Sequence, residues 1–452
     1  MHMRIDSGMR IVAGARPRVA FMLGLSVAAL TGCDDVLTVD DPQRYTSDDL
    51  DASLDAVING VEGDFYIAIP GLVNATSLAS DEAQHTGTWI GYDELDHGRF
   101  FYSNANGGGG LGSGDDIMEA LLRSRHFAQS AQERFTRVLE GEAASSPYMA
   151  RAQVVEGWTN LLLAQNFCEA PAEAGGPAVS DAEMLQVAIS TLTTALQTAQ
   201  AAGEQDVALF AQAGRARAHL LAGSYQEALS DARAIPTDFV WEAQFSANSG
   251  RQENDIVNLS TAGFNRASGV REFYWPRVDT EADAMRDPYS DEIDARVAVL
   301  FDGGIGVDGL TPHYSQWKYR DLGSNIELTD GAEMRLIEAE VRWRQNDLDG
   351  AMELLDQVRA AAALSPRPAT NDPNQVFDYL IHERFAELYW EGQRMADLHR
   401  FELVDDFIAE GRFGAETENP RPTKFPIAED EVINSSAFPD KGISGRCLPM
   451  SG

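Results

Sequence analysis

The chain has 452 residues, a formal charge of −36 at pH 7, and an apolar content of 44% that includes seven Trp. That much negative charge repels the phosphate backbones that Lys and Arg would have to neutralise, so nucleic acid is excluded as a partner. The apolar content supplies a real core, and the length suits two or three ordinary domains or one large helical array.

The N-terminus has a basic stretch (Arg4, Arg10, Arg16, Arg18), an apolar run from Val19 to Leu30, and the ending Leu30-Thr31-Gly32-Cys33. This order is that of an export signal closed by a bacterial lipobox. The apolar run falls short of the about 20 residues that a spanning helix needs, so residues 1–32 are expected to be removed. Cys33 then becomes the acylated first residue, since two or more fatty chains give stable anchoring where one does not. Asp34, Asp35, Asp40 and Asp41 follow in a stretch poor in core residues, an acidic tether over 33–50.

Helical periodicity begins at 115–140, where Ile117, Leu121, Leu122, Ala128, Ala131, Phe135, Val138 and Leu139 recur at three-and-four spacing. Segments 148–167, 181–202 and 206–222 continue in the same style. Two stretches carry a sharper pattern. Gly223-x-Tyr225-x-x-Ala228 within 214–236, and Asn346-Asp347-Leu348-x-x-Ala351 within 332–359, match the turn and second helix of a tetratricopeptide unit. The Gly-rich run 103–114 lacks the Lys-Ser/Thr of a phosphate-cradling loop and reads as surface loop. Residues 236–330 show no sustained helical period beyond a short predicted helix from Asp291 to Leu300, which predicts a loop-rich subdomain.

The residues from 332 onward resemble the SusD/RagB family. Glu333-Met334-Arg335-Leu336-Ile337-Glu338-Ala339-Glu340, Ala351 to Leu355, and Val358-Arg359 follow its first helix pair. The helix from Ile381 to Leu398 resembles its Glu-Arg-x-x-Glu-Leu-x-x-Glu-Gly-x-Arg-x-x-Asp-Leu signature, and Pro426-Ile427-Ala428-x-x-Glu431-Val432 its ending, with Ala428 where the family has Pro. The resemblance implies a mainly α fold: a tetratricopeptide-like scaffold over about 115–235 and 330–412, with a loop-rich, partly β, ligand-facing subdomain. Loop-rich insertions are expected at about 60–114 and 236–330, within one domain over 51–452 whose signature region is 332–452. It also implies an outer-membrane lipoprotein that captures a nutrient, often a glycan, passes it to a TonB-dependent transporter, and does not catalyse.

The residues support a non-enzymatic reading. His382-Glu383 lacks the second His of a zinc-protease helix, and no nucleophile elbow is present. Asp81, Glu82, His85, Asp93 and Asp96 could offer ligands to a cation but do not form a regular calcium loop, so neither metal nor cofactor is expected. On the signature helix, Phe377, Ile381, Phe385, Leu388, Gly392 and Met395 form an apolar stripe. Glu383, Arg384, Glu387, Glu391, Arg394 and Asp397 read as scaffold charges, solvated or paired, with Glu391 and Arg394 spaced for an i,i+3 contact.

Sugars need exposed rings beside polar side chains. Three aromatic clusters qualify: Trp89, Tyr92, Phe100, Phe101 and Tyr102 beside Asp93 and Asn104; Phe273, Tyr274 and Trp275 beside Arg271 and Arg277; and Tyr314, Trp317 and Tyr319 beside Gln316 and Lys318. Trp89, Tyr92, Tyr274 and Trp275 are the chosen ligand contacts, against the alternative that such rings plug the core. Cys168 and Cys447 are an even pair in an exported chain, a disulfide candidate beside the alternative of two separate thiols. Two other functions stay open: a lipid-anchored tetratricopeptide adaptor that binds protein, and a glycan hydrolase with paired carboxylates.

Overall fold

The computed structural model describes residues 46–100, 114–261, 263–428 and 431. The signal, Cys33, most of the tether, the Gly-rich run, Phe101, Tyr102, Asn104, Val432 and Cys447 lie outside them.

The scaffold is built from helices α1 (Ser47–Asp51), α2 (Leu54–Ala79), α3 (Ile90–His97), α4 (Gly114–Leu139), α5 (Pro147–Asn166), α6 (Asp181–Ala202), α7 (Gln205–Leu221) and α8 (Tyr225–Arg233). After the irregular middle come α9 (Asp255–Ser260), α10 (Gly331–Arg344), α11 (Leu348–Ala361), α12 (Pro373–Glu387), α13 (Arg394–Arg400) and α14 (Val404–Ala409). Local sequence starts several of them. Ser180 and Glu183 form a reciprocal capping box on α6, Asp330 caps α10 through Glu333 N–H, and Pro373 sits in the first turn of α12 behind the cap Asp372.

Each helix packs on its chain neighbours: α4 on α5, α5 on α6, α6 on α7, α7 on α8, then α8 on α10 and α10 on α11 and α12. The two tetratricopeptide-like turns behave alike. Gly223 (φ 73°) and Asn346 (φ 60°) both take the left-handed backbone that lets one helix fold back on the next. Gly214 lets Trp158 approach so closely that a Cβ there would lie 2.8 Å from the indole. Trp158, Phe210 and Trp241 stack in series at 4.6 and 4.4 Å, with Arg217 over the Trp158 face.

The expected mainly α architecture is what the structure has, with 57% helix and 11% strand among the described residues. Three local expectations are corrected. Residues 54–79, placed partly in a loop-rich insertion, form the long helix α2; Asp55, Asn59 and Glu62 mark a polar side in its first half, while from Ala68 on it is buried nearly all round and shows no polar stripe. Residues 293–300 are a strand, not a helix. Strands Val278–Asp279, Ala284–Arg286, Ile293–Leu300 and Ser315–Gln316 form one antiparallel sheet, and the third of them pairs on both edges. Its β-branched Ile293, Val297 and Val299 suit that setting. The signature helix also ends early: α12 stops at Glu387, and a tight reversal with Trp390 (φ 55°) and Gly392 (φ 75°) leads into α13.

Candidate functional site

The loop-rich face is organised by a short ribbon, β1 (Ala83–His85) against β2 (Ser268–Val270), with Ala83 opposite Val270 and His85 opposite Ser268. Beyond β1, Thr86 N–H donates to the Ala267 carbonyl, and the Thr86 hydroxyl lies between the Arg266 carbonyl and His313 Nδ1. Burial lowers His313 to about 4, so its ring is neutral at pH 7 and can donate Nε2–H to the Ser260 carbonyl.

The four chosen rings separate into three settings. Trp89, at the head of α3, is 40% exposed and meets Tyr92 edge-on at 5.5 Å. Tyr92 is itself 2% exposed, so it braces Trp89 and offers no open face. At the other end of the ribbon, Trp275 Nε1–H donates to the Val270 carbonyl, and its ring stacks on Tyr314 at 4.6 Å. Tyr314 stacks in turn on Phe301 at 4.2 Å, which makes a half-buried ladder of three near-parallel rings. Phe301 escaped the sequence reading because its partner lies across the loop 302–313, where no local pattern marks it. Tyr274 turns inward from the same 3₁₀ turn; its ring stacks on Phe385 and its hydroxyl donates to Asp81 at 2.5 Å.

In the remaining clusters, Phe100 is buried against Phe425, and Tyr319 is buried with its hydroxyl donating to the Trp390 carbonyl. Lys318 pairs with Glu391 and Glu327, and Trp317 carries Arg320 over its face.

The signature charges are buried and connect distant segments. Arg394 holds Asp81 through Nε (2.6 Å) and Nη2 (3.0 Å), and this guanidinium overrides burial to keep Asp81 well below the usual carboxylate range. Glu383 accepts from Arg296, Arg359 and Arg367, while Asp397 pairs with Arg384 and Arg400. The expected Glu391–Arg394 contact does not form, because the reversal sends Glu391 to Lys318 and Arg394 to Asp81. Gly392 therefore serves the left-handed turn, with no place inside a helix, and a Cβ there would touch Val73 and Thr76 at 3.4 Å.

The five candidate cation ligands do not converge. Asp81 is taken by Arg394 and Asp96 by Arg271, Glu82 accepts from Ser77 and Trp390 N–H, and Asp93 faces His97. Among the described residues, Asp287, His382 and Glu383 are close enough to hold an ion, but Arg359 and Arg367 already engage both carboxylates. Cys168 is disulfide-bonded, and Cys447, its expected partner, lies outside the described residues.

Residues 331–436 match the sequence model of the SusD family. No curated protein matches the chain. A SusD superfamily protein from Bacteroides vulgatus superposes with a TM-score of 0.64 at 16% identity, over 86% of this chain and 97% of that one. A second, from Bacteroides thetaiotaomicron, gives 0.61 at 14% identity over 85% and 97%. A SusD-like carbohydrate binding protein from Bacteroides vulgatus gives 0.56 at 16% identity over 78% and 83%. Residues 331–436 thus carry the SusD-family signature, and the helical frame that they lock together has a SusD-like fold.

Proposed function

We propose that this protein is a lipid-anchored outer-membrane receptor, tethered through Cys33 and facing the cell surface, that binds a glycan or other oligomeric nutrient and delivers it to a TonB-dependent transporter without catalysis. The observation that carries the reading is the exposed Trp89 and the Phe301–Tyr314–Trp275 ladder, set at the two ends of one ribbon of a SusD-like frame. Flat apolar rings beside polar loops suit the C–H faces and hydroxyl edges of sugars. Similarity to a SusD-like carbohydrate binding protein supports the ligand class. The best-positioned carboxylates, Asp81, Asp96, Asp287 and Glu383, are occupied by arginines, which favours binding over hydrolysis.

Affinity electrophoresis in gels containing soluble starch, xylan or mannan tests the ligand class. A retarded mobility that Trp89→Ala or Trp275→Ala relieves is expected; retardation by none of a broad polysaccharide panel would refute glycan binding. Anchoring is tested by Cys33→Ala, which should move the protein from the membrane to the soluble fraction. Co-purification of a transporter barrel supports delivery, whereas recovery of periplasmic assembly proteins alone would favour an adaptor.

A further inference from the structure

A cavity of about 540 Å³ lies between the four-stranded sheet, α12 and α14. Pockets that hold small molecules run to roughly 300–1,000 Å³, so one small ligand fits. The inner walls are apolar: Phe273, Met285, Val297, Ile381, Leu403 and Phe407 line it, so the body of a ligand seated there meets carbon on most sides. Neither Trp89 nor any ring of the Phe301–Tyr314–Trp275 ladder takes part.

The charges around it do not cancel. Asp378 on α12 and Asp406 on α14 are exposed at the mouth, and neither has a basic side chain in ion-pair contact among the described residues. Asp378 stands among further acids: burial first, then Asp372 and Glu410, pushes its carboxyl up. The other lining acids are answered, Asp287 by Arg359 and Arg367, Asp294 by Arg296 and Glu410 by Arg412. Of the lining arginines, Arg286 is held by Asp279 and Arg394 by Asp81, which leaves Arg277 alone without a carboxylate among the described residues. Two unanswered carboxylates against one unanswered guanidinium make the mouth acidic, in a chain whose formal charge is −36, so cations are drawn to it and anions repelled. Tyr289 adds an aromatic surface at the rim. Arg367, whose side chain is wholly buried, takes the inner side of the ring at 4.8 Å from its centre, and 42% of Tyr289 stays exposed. A cation within about 6 Å of such a ring is attracted by its quadrupole. Asp378 is near enough that, after burial, it is the next cause raising the Tyr289 phenol, so ring and carboxylate act on the same space.

We propose that this cavity is a binding site for a small aromatic ammonium ion, with the ring body against the apolar walls and the ammonium group at the mouth, beside Asp378, Asp406 and the exposed part of Tyr289. The site shares neither ligand class nor tested residues with the aromatic face, so it stands or falls apart from nutrient capture there.

The test is saturation-transfer NMR with titration on the full chain at pH 7, using four probes that share one ring and differ in charge: phenethylamine, phenethyl alcohol, 3-phenylpropionate and phenylalanine. Phenethylamine should bind about threefold to tenfold more tightly than the alcohol, as two exposed charge contacts allow, and the carboxylate more weakly than either. Added salt should narrow the gap between amine and alcohol. Asp378→Asn/Asp406→Asn should abolish that gap while leaving the affinity for the alcohol unchanged, and Trp89→Ala should alter neither. Both aspartates are exposed, so the variants keep the fold, which thermal melting verifies. The proposal is overturned if phenethylamine does not bind wild type, if the alcohol or the carboxylate binds as tightly, if zwitterionic phenylalanine binds more tightly than the amine, or if the double variant keeps the preference for the amine.

Discussion

Glu82 sits at the centre of the interface between α2 and the α12–α13 reversal, and it offers the sharpest test of how this frame is held. It is 1% exposed, accepts from Ser77 and from Trp390 N–H, and burial pushes its carboxyl from 4.5 up to about 7. Below pH 4.5 the group is protonated in both folded and unfolded chains, so it costs nothing. Between pH 4.5 and 7 the unfolded chain releases the proton while the folded chain keeps it, so folding loses ground as pH rises. Above pH 7 the cost levels at about 3 kcal/mol, from 1.36 kcal/mol per tenfold change in proton affinity. Glu82→Gln cannot ionise and keeps an acceptor for Trp390 N–H. Relative to wild type, the variant should therefore gain up to about 3 kcal/mol at pH 8 and progressively less toward pH 5. Urea unfolding followed by tryptophan fluorescence at pH 5, 6, 7 and 8 reads the difference directly. A gap between variant and wild type that stays constant across that range would refute the reasoning.

Further predictions follow from the same buried contacts. Asp81→Asn should cost about 3–5 kcal/mol at pH 7, because Arg394 would keep its charge without a partner, while Asp81→Leu/Arg394→Met should cost much less; a double-mutant cycle of unfolding free energies measures the coupling. Phe210→Ala opens a gap in the Trp158–Phe210–Trp241 stack and should destabilise by about 3–5 kcal/mol, visible as a lower melting temperature. Peptide mapping under non-reducing conditions should recover a Cys168–Cys447 cross-link, and Cys447→Ser should lower stability by roughly 2–5 kcal/mol; a Cys168 peptide linked to Cys33 would contradict both the bridge and the acylation.

The reach of the sequence was greatest where structure is local. Helix periods at 115–140 and 181–202, the cap residues and the turn at Gly223 are set by neighbours a few residues apart, and they appear where spacing predicts them. It was weaker at the aromatic face. Trp89 is exposed, but Tyr92 and Tyr274 are buried and Phe301 joins its ladder from across a loop, since exposure depends on which loops return to cover a ring.

By itself, the sequence determined the helical scaffold, its paired-helix turns and the likeness of residues 331–436 to the SusD family, all encoded in short periods and ordered motifs. Tertiary structure alone decided the fate of the signature charges. Arg394 and Asp81 lie 313 positions apart, and Arg217 meets Glu333 across 116, so no spacing rule could show that these groups are buried partners. Periodicity reports which side of an element is apolar; it does not report what packs against it, and that decides whether a charge is solvated, a strand replaces a helix, or a ring is free to meet a ligand.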